Sequence, residues 1–96
     1  MSQLDFVKEI VRLKEKFPSY EIIFFVASDE MADTMYTRHE ISDVRVEAVM
    51  EYGDYIYIGE SNIRERLEDD EYDPDVIDSM YKELVSMTIC VYTGAV

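Results

Sequence analysis

Leu4, Phe6, Val7, Ile10, Val11, Leu13 and Phe17 recur at steps of three and four residues, the period of a helix with an apolar face. Ser2-Gln3-Leu4-Asp5 has the spacing of a capping box, in which hydroxyl and carboxylate satisfy free backbone N–H groups. Lys8, Arg12, Lys14 and Lys16 fall later in the segment, toward the end where the helix dipole is negative. Pro18 stops the helix, because the residue before a proline avoids the helical region. Residues 20–28 then read as a strand. Ile22, Ile23, Phe24, Phe25, Val26 and Ala27 are apolar on both faces, which predicts a central strand. Residues 28–33 form a polar connection. Residues 34–41 fit neither period cleanly, although Tyr36 and Thr37 favour extended chain.

The next strand alternates. Val44, Val46, Ala48, Met50 and Tyr52 take one face, and Arg45, Glu47 and Glu51 the other, with Val49 as the exception. Gly53-Asp54 is a two-residue hairpin turn in which Gly supplies positive φ. Tyr55-Ile56-Tyr57-Ile58 is the returning strand, with its isoleucines expected inward and its tyrosines outward. Residues 60–69 predict a short helix started near Ser61 or Asn62, with Ile63 and Leu67 as a narrow apolar stripe. Asp73-Pro74 starts another helix, because Asp caps and Pro fits the first helical position. Val76, Ile77, Met80, Tyr81 and Leu84 carry that helix inward to about residue 86. Residues 87–93 close as a strand that is apolar on both faces and is expected to pair with the first strand. The expected fold is therefore α+β, one small domain over residues 1–96. Its order is α-β-β-β-α-α-β, with a mainly antiparallel sheet packed by helices.

Composition agrees with a folded chain: 48% apolar and 12% aromatic, with only 3 Gly and 2 Pro in 96 residues. One cysteine, Cys90, excludes an internal disulfide, and one Cys with one His cannot build a zinc site. A reducing, cytoplasmic setting is expected. The longest apolar run, residues 22–27, is too short for a membrane span, and the first ten residues lack the apolar stretch of a signal peptide.

Charge changes the picture most. The chain holds 22 acids and 9 bases, a formal −13. It should repel nucleic acid and anionic membranes and attract basic surfaces. The charge is also concentrated. Residues 1–20 hold Asp5, Glu9 and Glu15 against Lys8, Arg12, Lys14 and Lys16. Residues 60–78 hold Glu60, Glu65, Glu68, Asp69, Asp70, Glu71, Asp73, Asp75 and Asp78 against Arg64 and Arg66, a net −7. Most acidic runs are solvated faces, and i,i+4 spacing pairs Glu60 with Arg64, Arg64 with Glu68, Arg66 with Asp70 and Asp78 with Lys82. Glu65, Asp69, Glu71, Asp73 and Asp75 have no such partner in the segment. A wholly helical run of this length would span ~28 Å. Its carboxylates would then fall about every 3 Å, near the ~3.4 Å charge spacing along one DNA strand. The candidate partner-binding residues are Glu65, Glu68, Asp69, Asp70, Glu71, Asp73 and Asp75, with Tyr72 among them.

Other chemistry finds little footing. Asp69, Glu71 and Asp73 mimic the first ligands of a calcium loop, but Pro74 stands where the loop needs Gly and Met80 where it needs Glu. His39 has no matching nucleophile and is expected at an exposed edge. Cys90 sits in an apolar strand and reads as an inert buried thiol. The three glycines stand apart, so no phosphate loop forms. The expectation is a protein with no catalytic residues, no cofactor and no metal. The tyrosines, among them Tyr36, Tyr55, Tyr57 and Tyr72, suit a binding surface and equally suit strands.

The hairpin ending Tyr55-Ile56-Tyr57-Ile58, the run Glu68-Asp69-Asp70-Glu71-Tyr72-Asp73 and the ending Met87-Thr88-Ile89-Cys90-Val91-Tyr92 carry a resemblance. The chain resembles small phage-encoded proteins, and more narrowly the anti-CRISPR proteins that imitate DNA and block an RNA-guided nuclease. The likeness is one of architecture and composition over most of the chain, without a specific motif. It implies that acids such as Glu68, Asp69, Asp70 and Glu71 occupy the basic site that reads the short duplex flanking a target. The expected partner is the basic DNA-binding surface of a host defence nuclease, a CRISPR effector first, in the bacterial cytoplasm. A restriction enzyme or another DNA-binding host protein fits the same surface. The competing expectation is a structural or adaptor protein, with a homodimer allowed, whose acidity only keeps it soluble.

Overall fold

The computed structural model describes residues 1–26 and 38–95. Helix α1 spans Gln3–Lys16, and β1 Ile22–Phe25. Strands β2 (His39–Tyr52) and β3 (Tyr55–Ile58) form a hairpin. Helices α2 (Glu60–Asp69) and α3 (Pro74–Leu84) follow, and β4 (Val85–Ala95) closes the chain. The order is the expected α-β-β-β-α-α-β. The four strands form one mixed sheet in the order β1-β4-β2-β3, with β1 and β4 parallel and β2 and β3 antiparallel. The chain divides into two compact units, Met1–Val46 with Ile89–Val96, and Glu47–Thr88.

In the first unit the capping box forms as expected. Asp5 N–H donates to Ser2 Oγ, and Ser2 N–H donates to the Asp5 carboxylate, both at 3.2 Å. Those bonds hold the Asp5 carboxyl below its usual range. At the far end Lys14 Nζ donates to the carbonyls of Pro18 and Tyr20, closing the chain reversal after the helix. Gln3 holds residue 41 of β2 through both ends of its amide: its Nε2 donates to Ile41 C=O at 2.9 Å, and Ile41 N–H donates to its Oε1 at 2.8 Å. The apolar residues of α1 split into two stripes. Leu13 is buried and Phe6, Ile10 and Phe17 are half-buried, whereas Leu4, Val7 and Val11 remain exposed in a separate stripe.

Strand β1 overturns one expectation. It is an edge strand, paired on one side with β4, and Phe24 is 59% exposed. Being apolar on both faces does not fix a strand's place in a sheet, which non-local pairing decides. The doubly buried strand is β4, where Thr88, Ile89, Cys90 and Val91 are all buried. Residue 27 of the expected first strand, the connection over 28–33, residues 34–37 and Tyr36 lie outside the described residues. His39 is half-buried at the start of β2 rather than exposed, so the strand begins before the alternating segment.

The second unit holds its own core. Ala48, Met50, Ile63, Leu67 and Ile77 are buried together, with Tyr52, Tyr57, Met80, Tyr81 and Val85 packed around them. The turn is as expected, with Gly53 at φ 64° between Tyr52 and Tyr55. The faces of β3 are reversed, however. Met50 stands opposite Tyr57, and Glu51 opposite Ile56. Residues opposite one another in a hairpin share a face. Tyr57 therefore joins the core side with Met50, and Ile56 is 46% exposed. Val49 is buried beside Ala48 and Met50, so this end of β2 is covered on both faces. Helix α3 ends at Leu84, and β4 starts at once with Val85, before the expected residue 87.

Candidate functional site

Helix α2 starts one residue before Ser61, with Gly59 at the N-cap and φ 89°. Asn62 reaches back instead, and its Nδ2 donates to Ile58 C=O at 2.8 Å. Ile63 and Leu67, both fully buried, fix the helix's inner side. Geometry then sorts the acids. One helical turn separates Glu65 from Asp69, and both lie away from the buried stripe with Glu68. The two separate helices expected here do form, so the acids make no unbroken ridge. Ten helical residues span ~15 Å, about four charge steps of a DNA strand, and residues 70–73 then break the run before α3.

Two arginines hold part of the charge internally. Arg64 donates to Glu60 at 3.0 Å and to Asp78 at 2.7 Å, and its guanidinium lies 4.7 Å from the Tyr81 ring centre. It thus ties α2 to α3 rather than pairing with Glu68. Arg66 donates to Asp70 at 3.0 Å, as the spacing predicted. Asp70 also accepts from the Tyr52 hydroxyl at 2.6 Å. That bond, followed by the neighbouring Tyr72 hydroxyl, holds the Tyr52 phenol well above its ordinary value. Asp70 is therefore half-buried and doubly bonded, which sets it apart from its neighbours.

The other candidates are exposed. Glu65, Glu68, Asp69, Glu71, Asp73 and Asp75 form no salt bridge with any described residue. Their local settings differ. Asp73 is the N-cap of α3 and Asp75 lies in its first turn, where the helix dipole favours anions. The Asp73 side chain makes no capping hydrogen bond. Glu68 and Asp69 lie in the last turn of α2, where the dipole disfavours them. Glu71 follows with φ 65°, the one non-glycine residue with positive φ among those described. Its N–H donates to Glu68 C=O at 2.9 Å, which closes the helix end. A residue with a side chain pays about 1 kcal/mol or more there relative to Gly. Tyr72 beside it is 39% exposed.

Sequence reasoning missed three features of this region. The Arg64–Asp78 bridge spans 14 residues, and the Tyr52–Asp70 bond 18. The third is a groove of about 400 Å³ between β3 and α2. The first could have been found by folding the two helices against each other about the residue 70–73 break. Among the described residues, no group of three or more His, Cys, Asp or Glu side chains could hold a metal ion, and no helix is long and apolar enough to cross a membrane. Cys90 is a free, buried thiol. No family model, curated protein or solved structure matches the chain.

Proposed function

We propose that the protein acts by binding, without catalysis, and that its acidic surface occupies a basic, phosphate-gripping surface of a DNA-binding protein. The supporting observation is the end of α2. Glu68, Asp69 and Glu71 crowd a helix terminus whose dipole opposes them, one of them in a backbone conformation suited to Gly, and none has a salt bridge among the described residues. Solubility alone needs no charge at so unfavourable a place, whereas a ligand-facing role gives a reason to keep it. Together with Glu65 these acids present the carboxylate density of a short duplex edge. The partner that the architectural resemblance names is an RNA-guided nuclease in the host bacterial cytoplasm. The acids would then take the place of the duplex beside the target.

The test is competition. Labelled target duplex bound to RNA-guided nuclease complexes of several types is titrated with the protein at rising salt. Displacement from at least one complex is expected, weakening steeply as salt rises. Displacement from none of them would remove the nuclease as partner.

One observation favours a second reading, an adaptor or self-associating protein whose acidity only keeps it soluble. Leu4, Val7 and Val11 form an exposed apolar stripe on α1, 61%, 47% and 51% exposed. That reading expects association that is insensitive to salt, seen by sedimentation over a concentration series.

A further inference from the structure

Strand β3 lies at the edge of the sheet, so among the described residues no strand lies on one side of its backbone. The hairpin register identifies the groups on that side. Gly59 N–H donates to Ala48 C=O at 2.9 Å, so residues 48 and 59 form a hydrogen-bonded pair. Such pairs alternate along an antiparallel ladder. Tyr57 opposite Met50 and Tyr55 opposite Tyr52 therefore bond to β2, while Ile56 and Ile58 turn their N–H and C=O outward. The Asn62 bond to Ile58 C=O marks the same direction. Ile56 N–H, Ile56 C=O and Ile58 N–H make no hydrogen bond with any described residue.

The two residues that carry these groups line the groove between β3 and α2. Ile56, Tyr57 and Ile58 line it from the strand, and Asn62, Glu65 and Asp69 from the helix. Arg66 also lines it, but its guanidinium is held by Asp70 at 3.0 Å. The groove thus combines an open strand edge, apolar side chains and two unbridged carboxylates one helical turn apart. Glu65 and Asp69 stand ~6 Å apart along the helix axis. Alternate side chains of an extended chain are ~6.6 Å apart.

From this we infer that the β3 edge takes an extended cationic segment of a partner protein. The segment adds as a further strand beside Ile56 and Ile58, and arginine or lysine side chains at alternate positions meet Glu65 and Asp69. A second copy is a poor occupant: pairing β3 with its own twin would bring both copies' Glu65 and Asp69 together. Duplex DNA is repelled by the same carboxylates. The inference rests on the proposed reading for its partner's charge, since Glu65 and Asp69 serve both, but strand addition does not require phosphate mimicry.

The test uses ¹⁵N-labelled protein and a short blocked peptide in which arginine alternates with threonine and valine. Saturable shifts are expected at the Ile56 and Ile58 amides. The peptide N-methylated on its strand-facing amides should not bind. E65Q/D69N should weaken binding about three- to tenfold, the range for two exposed ion pairs. Absence of shifts at Ile56 and Ile58, or equal affinity for E65Q/D69N, overturns the inference. Shifts reproduced by raising protein concentration alone also overturn it, because a second copy would then hold the edge. E68Q/E71Q leaves the groove lining intact and alters only the acidic surface. If the peptide fails while duplex competition stands and is lost in E68Q/E71Q, the groove is wrong and mimicry survives.

Discussion

Two residues in this acidic region have opposite relations to the fold. Tyr52 supports it: its hydroxyl donates to Asp70, and its phenol is held above the ordinary value by that bond. A group whose folded pKa is raised contributes fully below its unfolded pKa and loses that contribution as pH climbs through the folded one. Stability should therefore begin to fall above pH 10, the ordinary phenol value. Thermal midpoints from pH 9 upward should show the fall, and Tyr52→Phe should be less stable at neutral pH and lack this part of it. Glu71 works against the fold. Glu71→Gly removes the side chain from a left-handed position and a carboxylate from a negative helix end. A gain of up to about 1 kcal/mol is expected from denaturant unfolding, after allowance for the freer unfolded chain of glycine. The same variant should bind the partner less tightly, which separates a carboxylate kept for binding from one kept for folding.

Among the elements, what the sequence revealed depended on distance along the chain. The capping box of α1, the Gly53-Asp54 turn and the Asp73-Pro74 helix start were all legible because each is fixed by a few adjacent residues. The edge position of β1 was not legible, since it depends on β4, more than sixty residues later. The face of β3 was legible through its turn: once Tyr52 is placed inward, a two-residue turn carries Tyr55 and Tyr57 to the same side, against the simple alternation of isoleucine inward and tyrosine outward. The acids themselves were visible in the composition. Their division into internally bonded Asp70 and Asp78, helix-starting Asp73 and Asp75, and unbridged Glu65, Glu68, Asp69 and Glu71 needed the packed helices. That packing depends on α2's inner stripe. Leu67→Ala should cost about 2–5 kcal/mol by the cavity it leaves, because Leu67 is fully buried. Neutral substitutions at exposed Glu65 or Glu68 should stay within about 0.5 kcal/mol. Chemical denaturation distinguishes the two classes.

For the molecule as a whole, a formal −13 on 96 residues means that folding works against self-repulsion. Salt should therefore stabilise the protein while weakening its grip on a basic partner. A rise of several degrees in thermal midpoint between low and moderate salt is expected, since ~1 kcal/mol is worth about 4–8 °C in a domain of this size. Ordinary acidity kept for solubility would produce only the first of these trends. The most direct test of the account combines them in one variant, E65Q/E68Q/D69N/E71Q, which leaves Asp70 with Tyr52 and Arg66. Its ability to displace target duplex from RNA-guided nuclease complexes is measured against that of the wild type, beside its thermal midpoint. The account predicts an equal or higher midpoint with displacement lost. A folded variant that displaces the duplex as well as the wild type does would contradict it.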